Sequence, residues 1–120
     1  MDDDTLSRAF AALADPTRRD LVSRLTLGDA TVGELAAPYD MSLQAVSKHL
    51  AVLESAGLVT RRRDAQRRPV HLDAETLGEL TTWIDRHRRA AEARMSRLDE
   101  VLEHAGTPDA GLTDSQETSP

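Results

Sequence analysis

The run Met41 to Val59, MSLQAVSKHLAVLESAGLV, has a marked start, a marked face and a marked stop, and it admits one local structure. Ser42 is a helix-capping residue whose side-chain oxygen can accept from the backbone N–H two or three positions on. Met41 and Val46 stand at the spacing of a hydrophobic staple, which sets the angle at which the chain enters a helix. At the helical period Leu43, Val46, Leu50 and Leu53 form one apolar stripe. Gln44, Lys48, Ala51 and Ser55 fall opposite, with Ala45, Ser47 and His49 on the flanks. Gly57 supplies the left-handed residue that ends a helix, and Leu58-Val59 begins a β-branched pattern.

The outer face of this helix is small and polar rather than rich in long Glu and Lys, so it can approach a groove closely. Gln can pair with an adenine edge, Lys can reach guanine or phosphate, Ser can bond base or backbone, and an Ala methyl can touch thymine. The same composition also suits an ordinary amphipathic core helix, and its neighbours decide between the two.

Upstream, Leu6, Phe10 and Leu13 predict a short amphipathic helix over about Thr5 to Leu13, behind an acidic arm of residues 1–4. Asp15-Pro16 reads as a cap and first helical position, and Leu21, Val22 and Leu25 continue a second helix that Gly28 closes. Thr31 and Glu34 match the capping box, opening a third, short helix through Leu35 to Ala37, which Pro38 and Asp40 end. A short helix, a turn and a recognition-like helix form a helix-turn-helix.

Downstream, Leu58 to Arg63 and Pro69 to Leu72 read as the strands of a β-hairpin with a basic tip. Arg61, Arg62, Arg63, Arg67 and Arg68 stand against one acid, Asp64, and alone they would be a solvated charge run. Following a candidate recognition helix, they read as a wing that grips phosphates or the minor groove. Asp73 caps a last helix over about Ala74 to Glu103, roughly 45 Å long and too long for one small core. Leu77, Ile84, Ala91 and Leu98 recur every seven residues, and Leu80, Trp83, Met95, Val101 and Leu102 widen the stripe. Part of that surface is expected to meet a second subunit, with Trp83 in the subunit core or, as the alternative, lining a ligand cavity between subunits. The domain is expected over residues 5–104, followed by a disordered, acidic tail over 105–120.

The net charge of −6 is a property of the ends: six of the 21 acidic residues lie at residues 2–4 and in the tail, leaving fifteen against fifteen basic residues between. The body is neutral, and only the placement of its charges bears on a polyanionic partner. The chain has no cysteine, hence no thiolate metal site or redox switch, and no run suited to a membrane span, so a cytoplasmic location is expected.

FAALADPTRR at Phe10 to Arg19, VGELA at Val32 to Ala36, AVSKHL at Ala45 to Leu50 and AGLV at Ala56 to Val59, in this order, resemble the ArsR/SmtB family of bacterial repressors. The resemblance covers about residues 5–104. It implies a mainly α winged helix-turn-helix of four helices, a hairpin and a long helix, which dimerises and binds a palindromic operator until an effector releases it. Its base-reading surface falls on Gln44, Ala45, Ser47 and Lys48 beside Ser42, with the wing on Arg61 to Arg68. His49 has two open readings, DNA contact and hydrogen-bonded packing. The family's dimer interface uses the first and last helices, which places Leu6, Phe10, Leu77, Leu80, Ile84, Ala91, Met95, Leu98 and Leu102 there.

No metal or other cofactor is expected. Where the family's metal sensors carry two cysteines, this chain has Ala36 and Pro38. Asp85 and His87 match half of a second site, but Leu98 and Val101 replace its other half. The expected partners are double-stranded DNA, a second copy and a small-molecule effector. The alternative is a winged-helix protein-interaction module without specific DNA binding, against which the Arg-rich wing argues. Ser42, Ser47, His49 and Asp40 resemble a catalytic set by type only, without a nucleophile elbow or phosphate loop, so an enzyme is not expected.

Overall fold

The computed structural model describes residues 1–62 and 67–106, with side chains through 104. Arg63 and the tail from 107 onward lie outside the described residues. The chain divides into two units, Met1–Thr82 and Trp83 onward. In order it forms α1 (Asp3–Ala12), α2 (Pro16–Leu25), α3 (Val32–Ala36), α4 (Leu43–Ser55), β1 (Val59–Arg61), β2 (Val70–Leu72) and α5 (Ala74–Gly106). This is the winged-helix order that the sequence predicts.

The helix starts follow their caps. Asp15 accepts from the Arg18 N–H, Ser42 from the Ala45 N–H, and both halves of the Thr31–Glu34 capping box form. Asp73 accepts from the N–H groups of Glu75 and Thr76 at 3.0 and 3.2 Å. α1 begins earlier than its apolar spacing predicts. Asp2 is its cap and Asp3 and Asp4 lie in its first turn, where carboxylates complement the exposed N–H groups, so they do not form a separate arm. α4 ends in a Schellman motif: Leu58 N–H reaches Leu53 O at 2.9 Å and Gly57 N–H reaches Glu54 O at 3.0 Å. Gly57 takes φ +80°, the conformation that only glycine adopts without strain.

In the first unit, Leu21, Leu35, Val46, Leu50, Leu53, Leu58, Val59 and Val70 are fully buried, so α2, α3, α4 and both strands contribute to one core. Each such side chain contributes about 1.5–3 kcal/mol by leaving water. Leu43 departs from its stripe and is 57% exposed. It occupies the first helical position, beyond the edge of the core, and the staple residue Met41 packs on the core there. β1 and β2 pair antiparallel with Thr60 opposite His71. A contact without a sequence signal joins them: Ala30 bridges Val70 through N–H···O bonds of 2.7 and 3.3 Å, tying the hairpin to the α2–α3 connection.

Leu77 and Leu80 of α5 belong to the first unit. Leu80 is 4% exposed and so is spent inside its own subunit, whereas the sequence reading placed it at a subunit interface. The second unit is the remainder of α5, which runs to Gly106, past the expected end at Glu103 and into the stretch expected to be tail. A lone helix has no core of its own. Trp83 is accordingly exposed, against the expectation that it would be buried, and its ring stacks on His87 with centroids 4.1 Å apart. Ile84, Ala91, Met95, Leu98 and Leu102 are all exposed.

Candidate nucleic-acid interface

α4 presents the site because its two faces are chemically distinct. Val46, Leu50 and Leu53 are buried, which turns Gln44 and Lys48 into solvent with Ala45 and Ser47 half-buried beside them. Ser42 adds a hydroxyl at the helix start, where its oxygen accepts from the Ala45 N–H at 3.0 Å and its proton stays free to donate. Farther along the same exposed face, Ala51 and Ser55, with Val52, line a groove against α1.

The scaffold under α4 is held by arginines of α2. The Arg24 guanidinium donates to the carbonyls of Leu35 and Glu34 at 2.7 and 3.2 Å, satisfying orphan groups at the end of α3, and lies 5.4 Å from the Tyr39 ring centroid. Tyr39 in turn donates to Asp20. Arg18 donates through Nε to Ala12 O at 2.7 Å and through Nη1 to Nδ1 of His49 at 3.2 Å. Because guanidinium only donates, this contact is a hydrogen bond when the imidazole is neutral with its proton on Nε2. Asp15 lies 3.8 Å from the same Nδ1. Of the two readings of His49, the structure supplies the packing one: the ring links α2 to α4. The Asp15 carboxyl is held below its usual range, first by the Arg18 N–H that caps onto it and further by the charges of His49 and Arg18.

The wing divides its arginines in two. Arg61 is half-buried with Nε 3.5 Å from Glu54, and that nitrogen makes no hydrogen bond. Arg67 places Nη2 on both carboxylate oxygens of Glu34, at 3.0 and 3.1 Å. The N–H of Thr31 is the largest influence holding the Glu34 carboxyl low, with Arg67 adding to it. Arg62 and Arg68, like Lys48, are exposed and form no ion pair with another described residue. Arg63 lies outside the described residues. Between wing and α3 is a cleft of about 490 Å³ lined by Thr31, Val32, Gly33, Arg61, Arg67 and Arg68. Of its cations, Arg67 is latched to Glu34 and Arg68 has no acidic partner among the described residues.

Gln44, Ala45, Ser47 and Lys48 share the outer part of the first two turns of α4, as helical spacing predicts, and the residues that hold them were missed by sequence reasoning. Arg18 stands in the DPTRR motif, a signal that was available. Arg24 has no local signal, since its partners are ten and eleven residues away. On α5, Asp85 gives one oxygen to Arg88 at 2.5 Å and the other to Arg89 at 2.9 Å, while His87 Nδ1 donates to Trp83 O at 2.8 Å. Among the described residues no three His, Asp or Glu side chains gather as a metal site would require.

A family described as Helix-turn-helix domain matches residues 13–62, the span from the α1–α2 turn to the first strand of the wing. The chain is 49% identical over 79 residues to the HTH-type transcriptional regulator Rv2034 of Mycobacterium tuberculosis, a match covering 66% of this chain and 74% of that protein. It is 30% identical to the transcriptional repressor SdpR of Bacillus subtilis, over 66% of this chain and 88% of that one. The crystal structure of the ArsR family transcriptional regulator RHA00566 superposes with a TM-score of 0.68 at 36% identity, covering 73% of this chain and 97% of the other. Sequence, fold and the polar face of α4 agree: the chain belongs to the ArsR family of winged helix-turn-helix, DNA-binding transcription regulators.

Proposed function

We propose that this regulator is a cytoplasmic, homodimeric repressor that occupies a palindromic operator and leaves it when an effector binds. The observation that carries the reading is the face of α4: exposed Gln44 and Lys48 around the small residues Ala45 and Ser47, flanked on the wing by Arg62 and Arg68, which have no acidic partner among the described residues. Such a face can enter a major groove, with Gln44 and Lys48 reaching base edges and the wing cations reaching phosphates. Two α4 helices in successive major grooves then require half-sites one helical turn apart.

The dimer reading rests on α5, where Ile84, Met95, Leu98 and Leu102 stay about half exposed or more in one subunit. A stripe of that kind marks an interaction surface. Leu6, Phe10 and Leu77 pack partly on their own core and contribute their remaining surface. A repressor is favoured over an activator because a relative at 30% identity is named as one. Among the described residues no helix is long and apolar enough to cross a membrane, in keeping with a nucleoid target.

The test is fluorescence anisotropy with DNA from upstream of the gene against a scrambled fragment, at about 150 mM salt where non-specific binding is weak. Selective binding that Gln44→Ala and Lys48→Ala weaken, with the dimer intact, supports the assignment. Equal binding to both fragments, or variants that bind as wild type, overturns it in favour of an interaction module.

A further inference from the structure

The groove between α1 and α4 lies beyond the first two turns of α4 and touches, through Arg18, the clamp that holds that helix. It is an open groove of about 360 Å³, within the size range of small-molecule sites. Its walls are small: Ala11 on one side, Ala51, Val52 and Ser55 on the other. No carboxylate lines it, and its two charged residues, Arg8 and Arg18, are both cations. The acids nearest in effect stand behind them: Asp2 feels the charge of Arg8, and Asp15 feels those of Arg18 and His49.

We propose that this groove binds a small carboxylic acid with an apolar body, the tail against the alanine walls and the carboxylate between Arg8 and Arg18. Arg18 suits the role because its guanidinium is already fixed by Ala12 O and His49, while Nη2 makes no hydrogen bond to another described residue. A planar fork held in place binds carboxylate with little ordering cost. The coupling to function rests on the repressor reading. A carboxylate on Nη2 draws on the same guanidinium that holds Nδ1 of His49, which weakens the tie between α2 and α4 and lowers operator affinity.

The experiment uses the full chain and three probes: octanoate, octanol and acetate. Binding is read without DNA, by calorimetry and thermal shift, and with DNA by anisotropy. The expected result is saturable binding of octanoate alone, weakened about tenfold by Arg8→Gln, the loss of one charge-assisted contact, and abolished by Ala51→Leu, which fills the groove while suiting a helix. Equal effects of octanol or acetate overturn the site, since either the apolar wall or the charge would then act alone. Loss of the dimer in Ala51→Leu, with no octanoate binding to wild type, also overturns it and makes the groove a subunit contact. Octanoate binding that leaves operator affinity unchanged overturns the coupling through Arg18. Absence of operator binding at every octanoate concentration refutes the repressor reading and leaves the DNA-free binding result standing.

Discussion

Arg67 and Arg68 are adjacent, identical in type and exposed, yet their replacement by alanine should have different effects on DNA binding. The guanidinium of Arg67 rests on both oxygens of Glu34, whereas Arg68 has no acidic partner among the described residues. If the latch persists in the complex, Arg68 neutralises a phosphate and Arg67 neutralises Glu34. Each phosphate contact contributes about 0.9 to the slope of log K against log salt, and a dimer doubles it. Arg68→Ala should therefore flatten the slope by about 1.8, and Arg67→Ala by less than about 0.5. With Lys48, Arg62 and Arg68 as the cations of α4 and the wing that have no acidic partner among the described residues, and each counted as neutralising one phosphate, the wild-type slope should be about −5. Were Arg61 and Arg67 free as well, the expected value would be about −9. The assay is an anisotropy titration of one labelled operator between 50 and 200 mM salt, a range over which a slope change of about 1.8 alters affinity about twelvefold. Equal flattening by the two substitutions would falsify the division of the wing into free and latched charges.

Gly57→Ala forces φ +80° on a residue with a Cβ, while the nearest atom to that Cβ, Thr76 Oγ1, is 3.8 Å away in ordinary contact. The loss should be conformational only, about 1–2 kcal/mol by urea unfolding, and a larger value would mean that packing around the Schellman motif also fails. The carboxyls of Asp15 and Glu34 titrate below their usual range in the folded chain, chiefly through the N–H groups of Arg18 and Thr31. Depressed folded values add stability above the ordinary carboxylate range, and that stability is lost as pH falls through them. The urea midpoint should thus drop between pH 7 and pH 3, and Asp15→Asn should shrink the drop; an unaltered drop would remove Asp15 from the account. Met95→Lys combined with Leu98→Lys places two charges on the exposed stripe of α5 and should yield monomers by sedimentation at unchanged helicity, whereas intact dimers would move the interface elsewhere.

What could be read from the sequence is what depends on near neighbours along the chain. Asp15, Thr31, Ser42 and Asp73 each act within three residues, so residue type and spacing suffice to place α2 through α5. The buried stripe of α4 follows from periodicity, except at Leu43, where the period continues past the edge of the core. The candidate site was legible to the same degree: Gln44, Ala45, Ser47 and Lys48 share a face by helix geometry alone. Its electrostatics were not legible. The Arg67–Glu34 latch spans 33 residues and the Arg18–His49 contact 31, and nothing in a local window tells a latched arginine from a free one. Trp83 and Leu80 were misplaced for a related reason. Heptad spacing reports that a residue is apolar on a given stripe and not where along the helix the subunit's own core stops.

The Ala30–Val70 bridge alters how this small sheet meets other molecules. With β1 on one side and Ala30 on the other, β2 has no long open edge, and the third position offers a single residue for pairing. An isolated hairpin would present two edges to any extended peptide. Among the described residues the longer open edge is that of β1, a short strand ending in a charged arginine. That arrangement discourages strand-to-strand association between crowded copies, even in a protein whose long helix invites contact with another chain.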